Sequence, residues 1–231
     1  MIKEALSVGR IFKLLFFIFS KLEFLKQNIL DAVVQLEASI NILLREGFSK
    51  INGIILLPIE ILFIIPSMEL LVKNNHLFVK GKKFQCALGL NGLTKNKQEG
   101  DLSTPIGTFH FNKIYYRADR LGPMKFIIDS AIINKNDGWC DDQKSDLYNQ
   151  YIQFPIQSSA EHLHRDDHIY DIICILNYNT SPIIPGRGSA IFLHIARPGF
   201  LGTEGCIAIE REALIEIATN LTSDSKIVIK N

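Results

Sequence analysis

Two residues near the C-terminus have the chemistry of acyl transfer. Cys206 closes the glycine-rich segment Gly199–Cys206, GFLGTEGC, and His194 stands twelve residues before it. Glycine lets backbone come close to a ligand and lets amides point outward. A sulfur set beside such amides lies where the oxyanion of a tetrahedral acyl intermediate can be held. A free thiol ionises near ~8.5 and needs a partner to act as a nucleophile. Histidine is the usual partner. The competing reading is a core cysteine and a satisfied core histidine, since cysteine is among the most buried residue types.

For this pair to meet, two strands must run side by side. Ala190–Ile195 is a short apolar run of the kind that forms a buried strand, and Ile207–Ile209 is another. Strand alternation puts His194 on one face with Phe192, and Ile191, Leu193 and Ile195 on the other. The ten residues between Ile195 and Cys206 can then bring His194 and Cys206 together at the strand ends. The rest of residues 68–231 reads the same way. Leu70–Val72 and Leu77–Val79 flank Asn74-Asn75, a hairpin signal. Phe84–Leu88, Thr108–Tyr116, Tyr170–Leu176 and Ile227–Ile229 are further strands. Leu214, Ile217, Ala218 and Leu221 fall at helical spacing, and Ser223-Asp224 turns the chain into the last strand. Many short strands with Gly, Pro and Asn punctuation and one late helix predict a mainly β domain, sandwich or barrel-like. The polar stretch Asn134–Asn149 reads as a loop long enough to shape a cleft.

Residues 1–67 have a different character. Ile11–Phe19 and Ile54–Ile65 are apolar, but Lys13, Pro58 and Glu60 interrupt them. Neither reaches the ~20 apolar residues that span a bilayer. Arg10 and Lys13 before Leu14–Phe19 fit a secretory signal loosely, without a small-residue cleavage site. Leu22, Ile29, Leu36 and Leu43 recur every seven residues, which predicts an amphipathic helix over about Lys21–Arg45. A helix packed on the main domain or on a partner helix, a membrane-surface or uncleaved anchor, and a true start at Met68 all remain open. The division expected is therefore an N-terminal helical segment, 1–67, and a catalytic domain, 68–231.

Composition narrows the function. Lys plus Arg number 25 against 24 Asp plus Glu, a net charge of +1, so nothing in the charge balance favours nucleic acid. Hydrophobic residues at 47% suffice for a core. Four cysteines, Cys86, Cys140, Cys174 and Cys206, show no CxxC spacing, which argues against a zinc ribbon or redox motif. His162, His164 and His168 with Asp166 and Asp167 could ligate zinc but read better as a polar loop. Lys82, Lys83, Lys95 and Lys97 read as a solvated basic face. Asp101 reads as a turn residue bonding its own backbone. Trp139 reads as a core plug rather than a cleft platform.

The string GSAIFLHIARPG at Gly188–Gly199, followed by TEGCIAI at Thr203–Ile209, resembles the catalytic motif of the L,D-transpeptidase catalytic-domain family (YkuD-like, ErfK/YbiS type). Further segments resemble its Gram-negative branch: CALGLNGLTKNKQEGDLSTPIGTF at Cys86–Phe109, DGWCDD at Asp137–Asp142, Tyr148-Asn149, and RDDHIYD at Arg165–Asp171. The resemblance runs from about Leu70 to the C-terminus and leaves out residues 1–67.

This resemblance implies a cell-wall enzyme without metal or cofactor. It would cleave after the third residue of a peptidoglycan tetrapeptide stem, expel a terminal D-amino acid, and pass the acyl group to an amine. Carried over residue by residue, Cys206 is the nucleophile and His194 the base, which implies that Cys206 is unpaired. The amides of Gly205 and Cys206 supply part of the oxyanion hole, with Thr203 beside them. Arg197 is a candidate contact for a substrate carboxylate and Glu204 for an acceptor amine; a solvated loop residue is the alternative for each. The sequence departs from the commonest family pattern at Glu204, where a second histidine is usual, and at Ala208, where Arg or Asn is usual. An L,D-carboxypeptidase or peptidoglycan amide hydrolase on the same site, and a non-catalytic peptidoglycan-binding module, are the rival functions. The substrate implies a periplasmic or envelope location, with membrane association through residues 1–67 left open.

Overall fold

The computed structural model describes residues 67–231. The apolar runs and the amphipathic stripe of the N-terminal third lie outside the described residues. Fourteen strands follow. They begin with β1 (Glu69–Lys73), β2 (His76–Val79), β3 (Lys82–Gln85), β4 (Leu93–Thr94), β5 (Thr104–Pro105) and the ten-residue β6 (Gly107–Tyr116). After the one-turn helix α1 (Ala118–Leu121) come β7 (Ser130–Ile132), β8 (Asp137–Cys140), β9 (Tyr151–Gln153), β10 (Ala160–His162) and β11 (Ile172–Leu176). The chain ends with β12 (Phe192–Ile195), β13 (Ile207–Ile209), α2 (Arg211–Ala218) and β14 (Lys226–Ile229).

The hairpin forms as the alternation predicts. Leu70, Val72, Leu77 and Val79 are buried while Phe78 points out. Asn74 and Asn75 take left-handed φ values of 51° and 55°, which asparagine tolerates better than other non-glycine residues. Nine strands join into one sheet in the order β13-β12-β11-β6-β14-β1-β2-β3, with β7 on β6. The expected strand Phe84–Leu88 divides its partners. Pairing with β2 ends at Gln85, and the chain then crosses to the other end of the sheet. Ala87 exchanges two backbone bonds with Ala208, at 2.8 and 3.0 Å, and Gly89 bridges Thr203. These bridges nearly close the sheet into a barrel, the second of the two architectures expected.

Alternation along the strands separates two apolar clusters. Leu70, Val72, Ile114, Cys174, Leu193, Ile207 and Ile209 belong to the larger, and α2 adds Ala213, Leu214, Ile217 and Ala218. Helical spacing alone puts those four residues on one stripe. Burying Leu214 and Ile217 stabilises by roughly 1.5–3 kcal/mol each. The smaller cluster holds Phe192, Ile173, Ile175, Trp139, Tyr170 and Cys206. Asn134–Asn149 is not a simple polar loop. It contains β8, whose four residues are all buried and which pairs with β9 and β10 in a separate three-stranded sheet. Asp137 explains how a polar stretch can fold inward: its carboxylate accepts from the Asn134 N–H at 2.8 Å and the Tyr151 hydroxyl at 2.7 Å.

Candidate active site

β12 and β13 run parallel, with His194 in register with Ala208. Cys206 lies two residues before Ala208, just ahead of β13. It therefore stands one strand repeat from His194, roughly 7 Å along the strand direction. Both side chains are buried, Cys206 at 8% and His194 at 5% exposure, yet both line one cleft of about 260 Å³. The thiol donates to the Ala190 carbonyl at 3.0 Å, and the Phe192 N–H donates to the sulfur at 3.4 Å. His194 Nδ1 lies 2.9 Å from the Ile195 carbonyl. A carbonyl only accepts, so Nδ1 carries the proton and Nε2 is left as a free base.

Burial sets the resting charge of the pair. It pushes the Cys206 thiol up to about 12; the nearby Glu161 charge adds to the rise, and the Phe192 N–H and Lys97 oppose it. Burial also pushes His194 down to about 4, against the pull of the Ile195 carbonyl and with help from Arg197 and Arg165. At neutral pH the site therefore rests as thiol and neutral imidazole. A desolvated site disfavours any charge with no fixed partner.

The cleft walls carry both signs of charge. Tyr170 packs edge-on against the His194 ring at 5.3 Å and donates its hydroxyl to Glu161 at 2.8 Å. Burial raises the Glu161 carboxyl. Arg165 lies over the Tyr170 ring and grips Asp167 through two bonds, at 2.9 and 2.8 Å. Asp141 and Glu204 join Glu161 in the lining, opposite in sign to Lys97, Arg165 and Arg197. Behind the cleft, Asn149 accepts from the Trp139 indole at 2.9 Å and from the Ala190 N–H at 3.1 Å, and donates to the Tyr178 and Asn179 carbonyls. It thereby fixes Ala190, whose carbonyl holds the Cys206 thiol.

All six candidate residues from the sequence, Cys206, His194, Gly205, Thr203, Glu204 and Arg197, line this cleft. Thr203 Oγ1 donates to the Cys206 carbonyl at 2.6 Å and accepts from the Gly205 N–H at 3.2 Å. The Gly205 amide is thus engaged within its own turn rather than turned toward the cleft. Glu204 and Arg197 are exposed on the rim. Lys97 differs from its expected place on a solvated face: it is 4% exposed, lies inside the cleft, and pairs with Asp101 at 2.5 Å. Four residues later in sequence, Asp101 caps the Gln98 and Ser103 amides as well. The i,i+4 spacing of these charges was the one signal of the pair in the sequence.

Trp139 is a plug, packed edge-on against Phe192 at 5.2 Å. Two of the three loop histidines are engaged apart from one another: His162 stacks on Phe154, and His168 meets Asp171 at 2.8 Å. Among the described residues no group of three or more His, Cys, Asp or Glu is placed to hold a metal, and all four cysteines are unpaired.

A family model for the L,D-transpeptidase catalytic domain (YkuD) matches residues 59–229. No curated protein matches the chain. Among solved structures, L,D-transpeptidase 1 of Mycobacterium tuberculosis is similar at 11% identity, with a TM-score of 0.34, over 71% of this chain. The match spans 60% of the length of that protein.

Proposed function

The chain belongs to the L,D-transpeptidase catalytic-domain family, cysteine enzymes that act on peptidoglycan in the cell envelope, and from that premise we propose that it is a peptidoglycan L,D-transpeptidase using Cys206 and His194. The observation that carries the proposal is the pairing, in one cleft, of a buried thiol with an imidazole whose Nδ1 donates to the Ile195 carbonyl and leaves Nε2 as the base. In the proposal residues 68–231 are the catalytic domain and 1–67 an appended segment.

In the proposed reaction the two side chains act in turn. As a tetrapeptide stem enters, it displaces water from a cleft that already disfavours isolated charge. The Cys206 thiol leaves the Ala190 carbonyl and gives its proton to His194 Nε2. The sulfur attacks the carbonyl carbon of the third stem residue, and the oxygen takes the negative charge. The Cys206 amide is the oxyanion donor in this scheme, since the Gly205 amide is engaged with Thr203. The intermediate collapses, the C–N bond breaks, and the imidazolium returns its proton to the departing D-amino acid. An acceptor amine then attacks the thioester, loses a proton to His194, and expels the sulfur, which regains its proton. Arg197 supplies a bidentate contact for the substrate carboxylate, and Glu204, on the same rim, draws the cationic acceptor.

Incubating the full-length protein with purified disaccharide-tetrapeptide, followed by intact-mass and product analysis, tests this. The expected result is a thioester adduct with loss of the terminal D-amino acid and a dimeric product. Cys206→Ser should give neither. A tripeptide product without dimer would assign the site to hydrolysis, and a Cys206→Ala protein that still releases the D-amino acid would overturn the proposal.

A further inference from the structure

Lys97 is built into the site with more care than a surface lysine receives. Its ammonium donates to the Gln98 carbonyl at 3.0 Å and to Asp101 at 2.5 Å. Asp101 holds its charge although desolvation opposes it, because Lys97 and the Gln98 and Ser103 amides all bind the ionised form. The lysine stem runs between two glycines in conformations that other residues rarely adopt, Gly188 at φ 93° and Gly205 at φ 143°. A Cβ on Gly188 would stand 2.9 Å from Lys97 Cγ, and one on Gly205 would stand 3.4 Å from its Nζ. The ammonium therefore sits against the residue that precedes the cysteine, inside the cleft. Among the described residues two of its three protons have partners, which leaves the third for an anion.

We propose that Lys97 is an electrostatic partner of the Cys206 sulfur, a fixed positive charge that favours the thiolate and the oxyanion formed beside it. The assignment rests on the reading of Cys206 as the nucleophile. Asp141, Arg165 and Arg197 share the cleft with the sulfur, and Asp101 pairs with Lys97 at its wall. Glu161 and Glu204 disfavour the anion, as does the Tyr170 phenol if ionised; Lys97 favours it. His194, on the neighbouring strand, is neutral at rest. Of the three cations that line the cleft, Lys97 is the buried one, and it offsets two carboxylates at the place where negative charge must appear. Lys97 is the buried end of a pair whose Asp101 is partly exposed, and burying its charge adds little stability, because desolvation costs about what the attraction returns.

Alkylation with iodoacetamide reads the thiolate directly, because the thiol form is unreactive. The rate at the Cys206 peptide is followed by mass spectrometry against pH, in the full-length protein and two variants. Lys97→Met, similar in length and uncharged, should displace the log-rate line by on the order of one pH unit to the alkaline side, about tenfold slower at a given pH. Lys97→Arg should stay within about threefold of the original. A role in packing alone would lower the melting temperature without displacing the pH line. Should Lys97→Met fail to fold, Lys97→Gln, which can still reach the Gln98 carbonyl, reads the same displacement. Coincident lines beside a reactive wild-type thiol overturn this assignment alone. A wild-type Cys206 that never reacts overturns the nucleophile reading and this assignment with it.

Discussion

Acid should unfold this protein partly through one histidine. His194 is buried as a neutral ring, held down to about 4 chiefly by desolvation, whereas an unfolded histidine titrates near ~6.5. Between these values the unfolded chain binds a proton that the folded one refuses, so stability rises with pH across that window. The contribution is fully present above about 6.5 and is lost as the pH falls toward about 4. A difference of about 2.5 units is worth ~3 kcal/mol at ~1.36 kcal/mol per unit, a large share of a stability of ~5–15 kcal/mol. Urea titrations from pH 7 to 4 read this directly. The single tryptophan, Trp139, reports the transition because it packs against Phe192 in the same cluster as Cys206. The control is His194→Gln, which cannot titrate. Asp101, Asp119 and Asp167 are each held below the usual carboxylate range and also cost stability in acid, but equally in both proteins. The wild type should therefore lose ~3 kcal/mol more than the variant, about 1.5 M in urea midpoint at a slope of ~2 kcal/mol/M. Parallel curves would refute the argument, because they would mean that His194 is charged or solvated in the folded state.

Two further substitutions separate support of the site from support of the fold. Asn149→Ala should cost about 3 kcal/mol and lower the melting temperature by roughly 6–12 °C, since it orphans the buried Trp139 indole and the partly buried Ala190 N–H. It should also slow Cys206 alkylation by loosening Ala190; calorimetry with the alkylation assay checks both, and an unchanged melting temperature would contradict the hydrogen-bond count. Leu214→Ala, which opens the larger core from α2, should cost about 2–5 kcal/mol in urea titration. Its alkylation rate, measured well below the unfolding transition, should remain within about twofold, because Leu214 and Cys206 belong to different clusters.

Residue type and alternation alone located much of this protein. The period of two along Ala190–Ile195 placed His194 on the face opposite Leu193 before any neighbour was known, and the two side chains do belong to opposite sides of the sheet. The Asn-Asn turn and the stripe of α2 are equally local, since dihedral preference and apolar spacing act within a few residues. The nucleophile and base candidates were legible because a glycine-cysteine step and a histidine are chemically distinctive wherever they fall.

Tertiary structure decided everything that depends on partners far apart in the chain. A lysine among other lysines reads as solvent-facing. The glycines at 188 and 205, about a hundred residues away, leave the room that the Lys97 stem and ammonium occupy. Asn149 and Tyr170 likewise gain their roles from Ala190 and His194, which lie far along the chain and meet them in the fold. The thiol and imidazole owe their neutral resting state to desolvation. Desolvation is set by how the whole sheet closes around the cleft, and a one-dimensional pattern carries no measure of it.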